Sequence, residues 1–196
     1  MNAALRDELI RMDDHDQSVR SELAADGSLF DGYHPRMAAV HDENAARLRA
    51  IVAEHGWPDE SLVGNDGAEA AWRIAQHSIN HPDLMHECRR LVDEASANGR
   101  VPRRHFAFLD DRVRMYSGLP QRYGTQWRDG PAGPEPFPVE APDAVDERRA
   151  ELGLPSLAEL RAQAPPAKPW DAADAAREAA KHAAALEWRR RVGWIR

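Results

Sequence analysis

Apolar residues recur at steps of three, four and seven along most of this 196-residue chain, and the periodic stretches end at glycine or proline. This punctuated helical rhythm restricts the fold more than any other property. A helix with one apolar stripe has to bury that stripe against neighbours of the same kind. Residues 3–25 set Leu5, Leu9, Met12, Val19 and Leu23 near one stripe, and Asp26-Gly27-Ser28 stops it. Residues 36–55 form a second helix, with Pro35 in its first turn and Gly56 where a C-terminal glycine belongs. Its apolar positions are Met37, Val40, Ala45, Leu48, Ile51 and Val52. A third helix, over about 66–79, takes its cap from Asn65 or Asp66. A fourth, over 82–97, closes at Asn98-Gly99, and a fifth, over 102–116, is ended by Gly118.

No stretch alternates with period two. Gly130 to Pro142 holds five prolines and two glycines in thirteen residues, which excludes regular helix and central strand there. It reads as an extended strap. Short helices follow at about 143–152 and 156–163, the second capped by Ser156. Pro165-Pro166 and Pro169 form a hinge, and Asp171 caps a final, alanine-rich helix over 171–192. The expected fold is all-α: about five core helices and the 130–142 strap within a domain over 1–163. A peripheral helical extension over 164–196 would dock through Leu186, Trp188, Val192 and Trp194.

The formal net charge of −7 argues against nucleic acid as a partner, because phosphate backbones demand a broad basic face. The one basic cluster, Arg189-Arg190-Arg191 with Arg196, reads as a solvated helix end. A single cysteine, Cys88, excludes an intramolecular disulfide and fits a reducing compartment. No run approaches the ~20 apolar residues of a membrane span, and no apolar signal core follows Met1 to Leu9. The expected location is therefore the cytoplasm, with no membrane partner.

Four polar constellations stand out. In Asp13-Asp14-His15-Asp16-Gln17, Asp13 shares a helix face with Gln17, and Asp16 shares one with Arg20. They form either a solvated, salt-bridged face or a polar patch lining a cleft. Gln76-His77 lies in the most apolar helix, where a histidine is either a satisfied core residue or a general base. Asp110-Asp111-Arg112 closes the fifth helix. Neighbours there point about 100° apart, so Asp111 and Arg112 serve different partners. The segment Gln121-Arg122-Tyr123-Gly124-Thr125-Gln126 packs two amides, a guanidinium, a phenol and a hydroxyl around one glycine. Burying so many directed donors and acceptors is costly unless protein or ligand satisfies them. His77 and His81 lie one turn apart and could supply half of a metal site. Even so, none of the nine histidines has diagnostic spacing, and no metal is expected. There is no GxSxG, Walker loop or GxGxxG, so serine nucleophiles, P-loops and Rossmann cofactors have no support.

In chain order, these residues are Met12, Asp16-Gln17, Arg20, Asp42, Asn44, Leu48, Gly56-Trp57-Pro58, Val63-Gly64, Ala71-Trp72 and Gln76-His77. They continue with Asp111-Arg112, Gly118, Pro120-Gln121, Tyr123-Gly124-Thr125-Gln126, Val145-Asp146, Arg148-Arg149 and Gly153-Leu154. The ordered pattern resembles that of an uncharacterised bacterial family of helical proteins, a domain of unknown function. The resemblance covers about residues 5–163 and leaves 165–196 outside. It implies that Asp16, Gln17, Arg20, Gln76, His77, Asp111, Arg112, Gln121, Tyr123 and Gln126 belong to one site, and it implies no reaction.

On this reading the protein is an enzyme without redox cofactor that acts on a small polar or anionic metabolite by elimination, cyclisation or hydrolysis. His77 is the acid/base, tuned by Asp16 or Asp111. Arg20 or Arg112 anchors an anionic group by a bidentate contact. Gln17, Gln76, Gln121, Tyr123 and Gln126 orient the substrate, with Tyr123 and Gln126 closing over a cleft floored by Gln76 and His77. The alternative is a non-catalytic binding or interaction module, in which the same groups form a structural network. The tail then carries partner contacts, including self-association into a homo-oligomer.

Overall fold

The computed structural model of the chain describes residues 1–30, 32–164 and 170–196; the expected hinge at Pro165, Pro166 and Pro169 lies outside them. The described residues are overwhelmingly helical. The helices are α1 (Ala3–Ala25), α2 (Pro35–His55), α3 (Glu60–His77), α4 (Pro82–Ala97) and α5 (Arg103–Tyr116), then α6 (Val145–Ala150), α7 (Leu157–Gln163) and α8 (Ala172–Val192). Two residue pairs form a small hairpin of β1 (Trp127–Arg128) with β2 (Glu135–Pro136). The all-α class expected from the apolar rhythm is the class observed. No helix among the described residues is long and apolar enough to cross a membrane.

Local signals act as their chemistry dictates. His34 caps α2 by accepting from the Arg36 amide, and Gly56 ends it at φ 73°. Ser156 and Glu159 make a reciprocal capping box on α7, as Asp171 and Asp174 do on α8. One helix departs from expectation. α3 begins at Glu60 rather than near 66, because Asp59 accepts from the Ser61 and Leu62 amides and caps an earlier turn. That turn joins the rest of α3 across Gly64, whose φ of 73° and ψ of 170° break the helical path. The proline-rich strap runs back along the 121–128 segment. Its non-proline amides pair with that segment: Phe137 N–H donates to Gln126 O at 3.1 Å and Glu140 N–H to Gln121 O at 2.7 Å.

The chain divides into two compact units, Met1–His105 and Phe106–Arg196. In the first, α1 packs most extensively on α3 and also on α2. Its buried apolar side chains include Leu9, Leu48, Ile51, Val63, Ile74, Leu84, Met85, Cys88 and Val92. In the second, Phe106, Leu109, Val113, Tyr123, Val145, Leu157 and Trp194 are buried. The tail belongs to this unit. Trp188 and Trp194 meet the Tyr116 ring at centroid distances of 5.4 and 5.2 Å, and Arg189 Nε donates to Tyr116 O at 2.6 Å. Of the expected docking residues, Trp194 is the one fully buried.

Candidate functional site

In the first unit, three helices bring polar side chains onto one buried carboxylate. Asp16 on α1 is 1% exposed. His77, the last residue of α3, donates its Nδ1–H to Asp16 at 3.0 Å from Oδ1 and 2.9 Å from Oδ2. His41 of α2 places Nε2 3.2 Å from Asp16 Oδ2. That contact is close but off the line of a hydrogen bond, so this buried nitrogen has no in-line partner. Outside it, the Tyr33 hydroxyl lies 2.8 Å from His41 Nδ1. The His41 and His77 rings are 5.0 Å apart by centroid. Gln17 Nε2 donates to Asp16 Oδ1 at 3.3 Å, and Asn44 Nδ2 reaches Met12 O at 3.4 Å.

Burial works to raise the carboxyl pKa of Asp16, but the close approach of the His41 and His77 imidazoles to its oxygens outweighs it. The group is held well below the ordinary carboxylate range. One turn earlier, Asp13 goes the other way. Burial pushes it up to about 6 against the pull of Arg73, with Asp16 and Asp14 adding to the rise. Asp13 Oδ2 takes a 2.5 Å contact from Arg73, while Oδ1 is buried without a partner. Gln76 is buried beside His77, whereas Arg20 is exposed on the surface of α1.

The second unit has a different polar centre. Asp111 is wholly buried, and its two oxygens accept the backbone N–H groups of Arg122, Tyr123 and Thr125 at 2.7 to 3.2 Å. Burial still raises its pKa, with those amides opposing. Gln121, also wholly buried, spans its own loop: Nε2 donates to Gln126 O and Phe137 O at 3.0 Å, and Oε1 accepts from Gln126 N–H at 2.7 Å. Arg149 ties the outside of the loop, donating to Tyr123 O and to Pro155 O at 2.6 Å. The Gln121 side chain and the backbone N–H groups of Arg122, Tyr123, Thr125 and Gln126 are therefore bonded within the chain itself. Gly124 is needed there because its φ is 65° and a Cβ would come within 3.2 Å of Leu157. Arg112 Nε donates to Gln126 Oε1 at 3.0 Å. Both residues line a cavity of about 720 Å³ with Tyr116, Phe137, Lys181 and His182.

Of the ten site residues read from the sequence, Gln17 and His77 each contact the Asp16 carboxylate. Asp111, Gln121, Tyr123 and Gln126 are joined around one loop, with Arg112 attached through Gln126. Three participants were not assigned to the site from the sequence, although Asn44 and Arg149 stand in its ordered pattern. His41 and Asn44 sit within the buried stripe of α2 among Met37, Val40, Ala45 and Leu48, and a polar residue inside an apolar stripe is a signal that could have found them. Arg149 stood in that pattern without a role, because its burial comes from the loop folding over it.

Neither the curated proteins nor the solved structures compared contain a match to this chain. Residues 3–164 match the model of the family of unknown function DUF6624, and the chain belongs to that family.

Proposed function

We propose that the Asp16–His77 pair is the proton-transfer centre of an enzyme acting on a small polar or anionic metabolite, by elimination, cyclisation or hydrolysis and without a redox cofactor. The observation that carries this is the burial contrast within one contact. The Asp16 side chain is 1% exposed, and the His77 side chain against it is 19% exposed. A buried carboxylate bound to Nδ1–H fixes the imidazole ring and tautomer and stabilises its charged form, so proton exchange with a substrate runs through Nε2. Gln17, Gln76 and Arg20 are the first-unit groups proposed to bind the substrate. Arg112 and Gln126 are proposed to bind an anionic or polar group from the cavity they line. The proposed compartment is the cytoplasm.

A structural reading is favoured for Asp111, Gln121 and Tyr123 by the closed set of hydrogen bonds they make. We assign them to holding the loop, with Asp16 rather than Asp111 tuning the base. The test is His77→Ala, with circular dichroism for folding and a metabolite panel read by thermal shift. A folded variant that no longer responds to a metabolite stabilising the wild type supports the centre. A variant that keeps the response excludes His77. Asp16→Asn, which keeps the shape of Asp16, distinguishes an orienting carboxylate from a purely structural one if His77→Ala fails to fold.

A further inference from the structure

We propose that Asp16, His41 and His77 form a binding site for a divalent first-row transition metal ion, with zinc as the leading candidate. Each residue offers one donor atom, and the three donors lie within 4.8 Å of one another. The contacts to Asp16 Oδ2 are 3.2 Å from His41 Nε2 and 2.9 Å from His77 Nδ1. Metal–ligand bonds of about 2.1 Å put adjacent donors about 3.0 Å apart in octahedral and about 3.4 Å in tetrahedral geometry. Both imidazole nitrogens are therefore already at ligand spacing from the carboxylate oxygen, and the separation between them lies within 4.8 Å.

Two further observations separate this cluster from an ordinary Asp–His contact. His41 Nε2 is buried and faces the Asp16 carboxylate without an in-line hydrogen bond, so the bonding capacity of this nitrogen is not used within the chain. Its other nitrogen is held by the Tyr33 hydroxyl at 2.8 Å, the outer contact that orients a ligating imidazole. A hydroxyl can donate or accept, so Tyr33 suits either tautomer of His41. The ligands come from α1, α2 and α3, which pack on one another, so the site is built on helices rather than loops.

Two imidazoles and one carboxylate select borderline ions over magnesium or calcium, which require oxygen donors. Three protein ligands leave coordination positions for water, as in catalytic rather than structural sites. Ion binding displaces the proton between His77 Nδ1 and Asp16; it passes to His77 Nε2 or to solvent. In the loaded protein, proton exchange then belongs to a metal-bound water rather than to His77. This inference rests on the donor geometry and does not depend on the acid/base reading.

The experiment uses the full chain stripped with a chelator and titrated with Zn²⁺, Co²⁺ or Mn²⁺, with Mg²⁺ as the control ion. Isothermal titration and elemental analysis are expected to give one equivalent of Zn²⁺ and none of Mg²⁺. Tyr33→Phe is expected to weaken binding about 10-fold, and His41→Ala to weaken it further, while His55→Ala leaves it unchanged. Mn²⁺ added to the wild type should broaden the ring signals of His41 and His77, a readout that needs no variant to fold. Absence of Zn²⁺ binding, binding that survives the His41→Ala/His77→Ala double change, or broadening centred on other histidines each overturns the site. Metabolite response of the chelated protein is measured separately. Loss of that response with metal uptake intact defeats the metal-free acid/base reading alone.

Discussion

Asp13 and Asp16 sit one turn apart on α1 and respond to burial in opposite ways, because only Asp16 has imidazoles to answer it. For Asp13 the folded-state pKa of about 6 lies above the ordinary value. The folded protein therefore binds this proton more tightly than the unfolded chain does. Its contribution is largest below about pH 4 and is lost as pH rises towards 6. The groups facing it are Arg73, Asp14 and Asp16. Asp13→Asn removes the ionisation and is expected to gain on the wild type by an amount on the order of 1–2 kcal/mol between pH 4.5 and 8. Urea midpoints of both proteins at the two pH values check this. A constant difference would mean that Arg73 compensates the charge fully.

On α3, Gly67 sets how closely the helix packs on its own preceding turn and on α1. Gly67 on α3 lies where a Cβ would stand 2.9 Å from Val63 Cβ and 3.3 Å from Arg6 Cγ of α1. Alanine would raise helix propensity by about 1 kcal/mol, but overpacking costs about 1–3 kcal/mol. Gly67→Ala is therefore expected to destabilise the protein by about 1 kcal/mol, the reverse of what propensity predicts. Chemical denaturation measures it, and a stabilised variant would show that Val63 yields at little cost.

For the chain as a whole, two compact units mean that one melting curve need not describe one transition. Cys88 offers a probe confined to the first unit. It is wholly buried, and burial, with Glu87 adding, pushes its thiol up to about 12. Thiolate is the reactive form, so alkylation in the native state requires opening of the unit. At pH 8 the native protein is expected to label at least about 100-fold more slowly than a free thiol, with the rate climbing as urea is added. Labelling at the free-thiol rate in native buffer would contradict the burial of α4. In a Trp57→Phe/Trp72→Phe background the remaining tryptophans all lie in the second unit, and their fluorescence follows that unit under the same conditions.

Helix identity was legible in the chain because caps, stops and the 3.6-residue stripe are local. Ser156, Asp171, Pro35 and Gly56 act within one turn of themselves. The start of α3 was missed because Asp59 caps a single turn too short to show a period. Strand pairing of the strap was also out of reach, since proline-rich segments pair through whichever amides they retain. Among the polar residues, sequence order marked Asp16 and His77 as members of a site but could not say which atoms meet. Only the tertiary packing of α1, α2 and α3 brings His41 Nε2, Asp16 and His77 Nδ1 together, within 4.8 Å of one another. Only the folding of the 121–126 loop onto Asp111 shows that its backbone amides and the Gln121 side chain are answered from within. The physical reason is range: capping and periodicity act over a few residues, whereas burial and donor convergence depend on segments brought together from distant parts of the chain.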